Sequence, residues 1–441
     1  MAGIFKAYDI RGIYGRELTN EMAFRIGRAF ATLLNPRTVA VGRDMRPHSQ
    51  PLFEALARGL NLHGVDVIDL GLCSTPMTYF GIGSSGADAG IMVTASHNPG
   101  EYNGMKLCRA GAVPISGATG IADIERIITD EAFDPPAHTT GHIIHRPIVE
   151  SYAASIRRHA ALKHPVRLAI DMANGMGIVE SKVLEGILEI DPLFDTLDGT
   201  FPNHEANPLI EETYADLQAK VRAGRYDFGV AFDGDADRAG FVDEKGEIIP
   251  MDMITALIAR DVLAHEKGVI FYDLRSSWSV KEVIAEAGGT PMMCRVGHAF
   301  IKQQMRDAGA LFAGELSGHY YFQDNYYTES SALAVIRVAN IVSAAGRPLS
   351  ELIKPIRRYF ASGEINSEVE APAAALARIS DRYRDGHRFD LDGISVEYDD
   401  WWFNVRTSNT EPLVRLNVEA KTIQKMQQKR DELLAVIREK A

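Results

Sequence analysis

The sequence predicts a multidomain α/β architecture closed by a smaller α+β unit, and three observations carry that reading. Short apolar runs alternate with amphipathic stretches, the pattern of a mostly parallel, buried sheet flanked by helices. The alternation occurs in three stretches of comparable size, each with a polar, glycine-containing loop directly after a strand. A chain of 441 residues also outgrows one hydrophobic core, since domains run at about 150 residues each.

In the first stretch, residues 38–41 read as a strand, 50–62 as a helix, 65–70 as a strand, 77–82 as a short apolar segment and 90–93 as a buried strand. The second has strands at 166–170 and 228–232, the former followed by Asn174-Gly175-Met176-Gly177 and a helix, the latter ending in acids. The third runs from a strand at 269–272 through a helix near 280–287, an apolar run at 292–296, a helix near 300–308 and a strand at 311–313. The tail differs, with paired strands at 403–406 and 413–419 and a closing amphipathic helix over 421–440. Proline-, glycine- or polar-rich stretches at 134–140, 244–250 and 361–366 are the candidate boundaries.

Forty-seven Lys and Arg against 59 Asp and Glu give a net charge of −12. That balance argues against nucleic acid or an anionic membrane as partner. A small anionic substrate would need cations gathered locally. The three cysteines, Cys73, Cys108 and Cys294, have no C-x-x-C spacing and suggest a reducing compartment. With no signal-like amino terminus and no long apolar run, a cytoplasmic protein is expected.

Four segments offer chemistry. In Thr94-Ala95-Ser96-His97-Asn98-Pro99, Ser96 follows a strand and is exposed to a ligand at its carboxyl end, although Ser, Asn and Pro also make ordinary turns. No G-x-S-x-G elbow surrounds it, so a serine hydrolase is disfavoured. Asp233-Gly234-Asp235-Ala236-Asp237-Arg238 places carboxylates at alternate positions of a turn, able to converge on one hard divalent cation. An EF-hand is excluded because Arg238 stands at its sixth position, where glycine is required, and a strand leads in. Gly314-Glu315-Leu316-Ser317-Gly318-His319 offers groups suited to sugar hydroxyls and a histidine that can move a proton or serve as a structural hydrogen-bonder. Arg406-Thr407-Ser408-Asn409-Thr410-Glu411-Pro412 reads either as a phosphate cradle or as a polar turn. Neither a P-loop nor a G-x-G-x-x-G motif accompanies them, so a kinase or dehydrogenase is not supported.

With these four motifs in order, the chain resembles the α-D-phosphohexomutase superfamily over essentially its whole length. Lys6-Ala7-Tyr8-Asp9-Ile10-Arg11-Gly12, Tyr102-Asn103-Gly104-Met105-Lys106-Leu107 and the Arg406–Pro412 segment are similar to its phosphomannomutase/phosphoglucomutase branch. The resemblance implies four domains around a central cleft: three related α/β domains with mixed, mostly parallel sheets, at 1–142, 143–247 and 248–360, and a smaller C-terminal α+β domain at 361–441. It implies that Ser96 is carried as phosphoserine and that Asp233, Asp235 and Asp237 hold Mg²⁺ with a phosphoserine oxygen. Glu315 and Ser317 would bind sugar hydroxyls, and Arg406, Ser408, Asn409 and Thr410 the non-reacting phosphate. Tyr8, Arg11, Lys106, Arg238, Arg275, His298 and His319 match the family's active-site positions, with Lys106 or His319 as proton carrier.

The implied activity is interconversion of mannose 1-phosphate and mannose 6-phosphate through a hexose 1,6-bisphosphate, which also serves as activator. The implied partner is a small hexose phosphate, for a monomer or weak dimer. A glucose-preferring mutase, a sugar-phosphate phosphatase and a non-catalytic sugar-phosphate or cation binder are the alternatives. One departure stands out. Where relatives commonly carry Asp and then Gly after the sugar loop, this chain has Glu329 and Ser331, which leaves the local loop and helix-start geometry open but not the catalytic set.

Overall fold

The computed structural model describes residues 3–407 and 413–439. Four sheets follow one another along the chain. In the first, Tyr102–Arg109, Ala89–Val93, Thr38–Arg43 and Asp66–Leu72 lie side by side. In the second, the same places are taken by Ala239–Asp243, Phe228–Phe232, Arg167–Asp171 and Glu189–Leu193. In the third they are taken by Tyr320–Phe322, Phe312–Gly314, Val269–Asp273 and Thr290–Cys294. Three domains thus repeat one arrangement. The fourth sheet, built around Trp401–Thr407 and Leu413–Ala420, is antiparallel throughout.

The repeat corrects one expectation. The sheets are mixed, but parallel and antiparallel pairs share them evenly. In each domain the chain leaves the innermost parallel strand, makes the polar loop and returns as a hairpin, pairing antiparallel: Ala89–Val93 with Tyr102–Arg109, Phe228–Phe232 with Ala239–Asp243, and Phe312–Gly314 with Tyr320–Phe322. Three short strands lie near the expected boundaries. Ile143–His145 pairs with the first sheet, Ile248–Ile249 with the second and Phe360–Ala361 with the fourth.

Local chemistry sets the helices. Thr19 caps Asn20–Leu34 by accepting from Met22 N at 3.1 Å, and Asn35 closes that helix in the left-handed conformation. Phe228–Phe232 is buried at every residue, as a strand covered on both faces must be. One cluster of buried side chains runs from Ala40 to Ile356 through the first three domains, while the fourth has its own around Trp401, Phe403 and Leu416.

The third and fourth domains meet at the amino end of the helix Trp278–Glu286. Glu419 Oε1 accepts from Trp278 N at 2.9 Å and Trp402 Nε1 at 2.8 Å, and Glu397 Oε1 accepts from Trp278 Nε1 at 2.8 Å. Burial pushes the Glu419 carboxyl up from 4.5 to about 7, against the hydrogen bonds that favour its charge. Between these two values the folded chain holds a proton that the unfolded chain releases. The stability this confers is complete below pH 4.5 and lost as pH rises through 7. Glu419→Gln, which cannot ionise, is expected to gain about 3 kcal/mol relative to the parent between pH 5 and pH 8. Calorimetric unfolding of both proteins across that range checks this; parallel pH curves would refute it.

Candidate active site

The three hairpin loops share one face of the molecule because each leaves the carboxyl end of the equivalent strand. The first carries Ser96, whose φ of +54° is left-handed and costly for a residue with a side chain. Its Oγ donates to Asp233 Oδ2 at 3.1 Å and lies 3.3 Å from His97 Nδ1. Burial, with Arg238 and Arg11 nearby, holds His97 well below its ordinary pKa and therefore neutral. The first and second loops touch so closely that only glycine fits at 234: a Cβ there would meet the Ser96 carbonyl oxygen at 2.4 Å.

The second loop is a buried acidic turn with Ala236 at φ +57°. Asp233 Oδ1 accepts from Asp237 N at 3.0 Å and Arg238 N at 3.1 Å, so the loop folds around its own first carboxylate. Asp233, Asp235 and Asp237 each offer an oxygen, and all these lie within 4.8 Å of one another. Burial and the two neighbouring aspartates push Asp233 well up. Asp237 is drawn well down: burial opposes its charge, but Lys106 and His319 outweigh it. Lys106 Nζ donates to Asp235 Oδ2 at 2.7 Å and Asp237 Oδ2 at 2.5 Å. Asp235 Oδ1 and Asp237 Oδ1 are both buried without a hydrogen-bond partner among the described residues. Three hard oxygen donors, with two carboxylate oxygens left unsatisfied, fit a divalent cation.

The third loop faces the second. His319 Nε2 lies 3.3 Å from Asp237 Oδ1, and its Nδ1 lies 3.3 Å from Glu315 Oε2 and 2.8 Å from Ser317 Oγ. Burial alone would strip the ring of its extra proton, but Asp237 and Glu315 hold its pKa up at about 9 against Arg238. Glu315 is itself fixed, accepting from Gly297 N at 3.2 Å and Tyr321 OH at 2.5 Å. His298, buried and beside Lys302 and Lys106, is held well below its usual pKa.

A cavity of about 270 Å³ opens between the domains, and each contributes to its wall: Tyr8 from the first, Arg238 from the second, Arg275, His298, Glu315, Ser317 and His319 from the third, and Arg406 from the fourth. Arg275 is clamped by Asp273 at 2.7 Å. Glu364 Oε2 lies 2.9 Å from Arg406 and 3.6 Å from Arg275, and Oε1 lies 3.3 Å from Arg415. Burial would raise this carboxyl, but the three guanidinium groups bring it down to about 2. Arg11 stands beside the Ser96 loop, donating to Asn98 Oδ1 at 2.5 Å and pairing with Asp9. Ser408, Asn409 and Thr410 lie outside the described residues.

At Glu329 and Ser331 the loop leads into a regular helix. Ser330 caps the helix Ser331–Ala345 by accepting from Leu333 N at 3.2 Å. Glu329 forms a fully buried ion pair with Lys302, Oε2 to Nζ at 2.8 Å, and Ser331 Oγ donates to Ala236 O at 2.7 Å, steadying the acidic turn. Sequence reasoning missed Lys302, Glu329 as an ion-pair partner, Glu364, and Thr75, whose Oγ1 donates to Asp235 Oδ2 at 2.6 Å. None belongs to a local motif; the only available signal was the departure itself.

Comparison with known proteins covers the same ground. Models of phosphoglucomutase/phosphomannomutase α/β/α domains I, II and III match residues 2–135, 149–246 and 250–359, and that of the C-terminal domain matches 364–436. A phosphomannomutase of Salmonella montevideo is 42% identical over 95% of this chain and 94% of its own. A Xanthomonas campestris protein described as phosphohexose mutases is 40% identical over 95% of each. The crystal structure of a phosphoglucomutase/phosphomannomutase family protein from Burkholderia thailandensis superposes with a TM-score of 0.91 at 33% identity, covering 98% of this chain and 97% of that one.

The buried pair gives a prediction. Lys302→Met strands the Glu329 charge and is expected to cost about 3–5 kcal/mol. The double variant Lys302→Met/Glu329→Gln should recover most of that loss. Denaturant unfolding of the four-member cycle checks it, and additive effects would show that the two side chains do not act as a pair.

Proposed function

The chain belongs to the phosphoglucomutase/phosphomannomutase family, and from that premise we propose that it interconverts mannose 1-phosphate and mannose 6-phosphate by way of Ser96. The observation that carries this reading is the contact of 3.1 Å between Ser96 Oγ and Asp233 Oδ2. It joins a serine and a three-carboxylate cluster beside a cavity walled by sugar-type and phosphate-type groups.

Ser96 is carried as phosphoserine. Its Oγ–P bond breaks while a P–O bond forms to the free hydroxyl of the bound sugar phosphate. The hydroxyl gives up its proton, the departing Ser96 oxygen takes one up, and Lys106 or His319 carries it. Arg11, Lys106 and Arg238 face the charge that develops on the moving phosphoryl group. Asp233, Asp235, Asp237 and a phosphoserine oxygen would hold Mg²⁺, which when bound supplies further positive charge at that point. The product of the first transfer is a hexose 1,6-bisphosphate. Once it has turned end for end, transfer back to Ser96 completes the isomerisation, and free bisphosphate primes the dephosphorylated enzyme.

Tyr8, Arg275, His298, Glu315 and Ser317 bind the sugar in both orientations, while Arg406 with Ser408, Asn409 and Thr410 grips the phosphate that is not reacting. The family models name phosphoglucomutase beside phosphomannomutase, so glucose phosphates are a second candidate substrate class. The ratio of kcat/KM for mannose 1-phosphate and glucose 1-phosphate sets the preference.

Purified protein with Mg²⁺, mannose 1-phosphate and catalytic glucose 1,6-bisphosphate is expected to form mannose 6-phosphate, followed by ³¹P NMR, and Ser96→Ala to form none. Inorganic phosphate without mannose 6-phosphate would instead identify a phosphatase. Arg406→Ala is expected to raise KM about 10- to 100-fold, the equivalent of a charge-assisted contact of about 1.5–3 kcal/mol. An unaltered KM would remove Arg406 from phosphate binding.

A further inference from the structure

We infer that Arg46 is the positioning residue for Ser96, setting the backbone of its loop and its distance from the aspartate turn; the inference rests on the proposed phosphoryl transfer at Ser96. Arg46 lies just beyond the Thr38–Arg43 strand, and its side chain has no solvent exposure. A guanidinium carries five N–H donors, and here each has its own acceptor. Nε donates to Asp44 Oδ2 at 3.2 Å; Nη1 donates to Pro99 O at 2.7 Å and Tyr102 O at 3.0 Å; Nη2 donates to Ser96 O at 3.0 Å and Asn98 O at 2.6 Å.

Three of the five acceptors are carbonyls of the loop that presents Ser96, and a fourth, Tyr102 O, belongs to the first residue of the strand that follows it. Such carbonyls must find donors once buried, and a planar fork aims at several in fixed directions as an ammonium cannot. They therefore define the path of the chain through the left-handed Ser96. The fork is itself fixed, because Asp44 Oδ1 accepts from Arg46 N at 3.1 Å and Ser49 Oγ at 2.5 Å, and Ser49 Oγ accepts from Asn103 Nδ2 at 2.8 Å.

The second domain holds the other side. The Phe201 ring centroid lies 5.1 Å from the guanidinium carbon, and a Cβ at Gly199 would fall 2.6 Å from Arg46 Cα. The same ring reaches the aspartate turn, where a Cβ at Gly234 would meet Phe201 Cζ at 3.2 Å. Arg46 and Phe201 thus bracket the junction at which Ser96 Oγ meets Asp233. Arg46 is not among the residues lining the cavity, and its head group bonds the Ser96 carbonyl while making no hydrogen bond to Oγ. It acts through the backbone.

Arg46→Lys keeps the charge and loses the fork. Its kcat is expected to fall at least about 30-fold with KM for mannose 1-phosphate within about threefold, the split that misplacement of a reacting group produces. Single-turnover phosphorylation of Ser96 by glucose 1,6-bisphosphate, read by intact mass, should slow by the same factor in protein that circular dichroism shows to be folded at the assay temperature. A folded variant with kcat within threefold of the parent, or with its loss confined to KM, overturns the inference. Where Arg46→Lys does not fold, Phe201→Leu decides: a fall in kcat of about three- to tenfold at unchanged KM supports the inference, and parental kinetics overturn it. The parent is assayed alongside. Ser96 phosphorylation without hexose phosphate isomerisation refutes the mutase reading and leaves the Arg46 comparison to the phosphorylation rate; a parent that never phosphorylates Ser96 refutes both.

Discussion

Three buried aspartates at the end of one strand are the constraint around which the rest of the site is arranged. Like charges within 4.8 Å of one another in a dry turn cannot persist without compensation. The second domain supplies little of it beyond Arg238. Lys106 arrives from the first domain and His319 from the third, so neutralising the turn requires the domains to converge. Thr75 and Ser331 follow the same logic at the level of hydrogen bonds, each crossing from another domain to hold the turn's shape. A cleft between domains is therefore a consequence of the electrostatics as much as of packing.

The net charge of −12 falls into place against this local picture. Arg275 and Arg406 face the cavity, and Arg11, Lys106 and Arg238 surround Ser96 and the aspartates. Each is delivered by a different stretch of sequence. A chain that repels polyanions as a whole can still focus positive potential inside one cleft, because low-dielectric walls confine the field there.

What could be read from the sequence was what lies close together in it. The triple-Asp loop, the Ser96 loop and the 314–319 loop each follow an apolar run that ends abruptly in polar residues, and the structure puts all three at the same corner of a repeated sheet. The antiparallel strands that follow were harder to see. Tyr102–Arg109 mixes Asn, Gly, Lys and Cys with its apolar residues, and Tyr320–Phe322 is three residues long, too short to show a period. Arg46, Lys302 and Glu364 were invisible for a different reason. Their meaning lies in partners 27 to 89 positions away, and one side chain among many of its type carries no mark of such a partner. The departure at Glu329 shows how such distance misleads. Read locally it leaves the loop's geometry open, whereas across the fold it is half of a buried pair that makes a longer side chain tolerable.

At the proposed phosphate site, Glu364 keeps the arginines ready without making the grip too tight. Arginines brought together with nothing between them would repel, and their geometry would drift. With a carboxylate already set among Arg275, Arg406 and Arg415, the guanidinium groups are oriented before any anion arrives. An incoming phosphate then competes with an internal anion and gains only the difference between two favourable pairings. In the proposed cycle that moderation is an advantage. The bisphosphate must leave its grip, turn and be gripped again by its other end, and a site that bound either phosphate with the full strength of unpaired arginines would hold the intermediate in its first orientation.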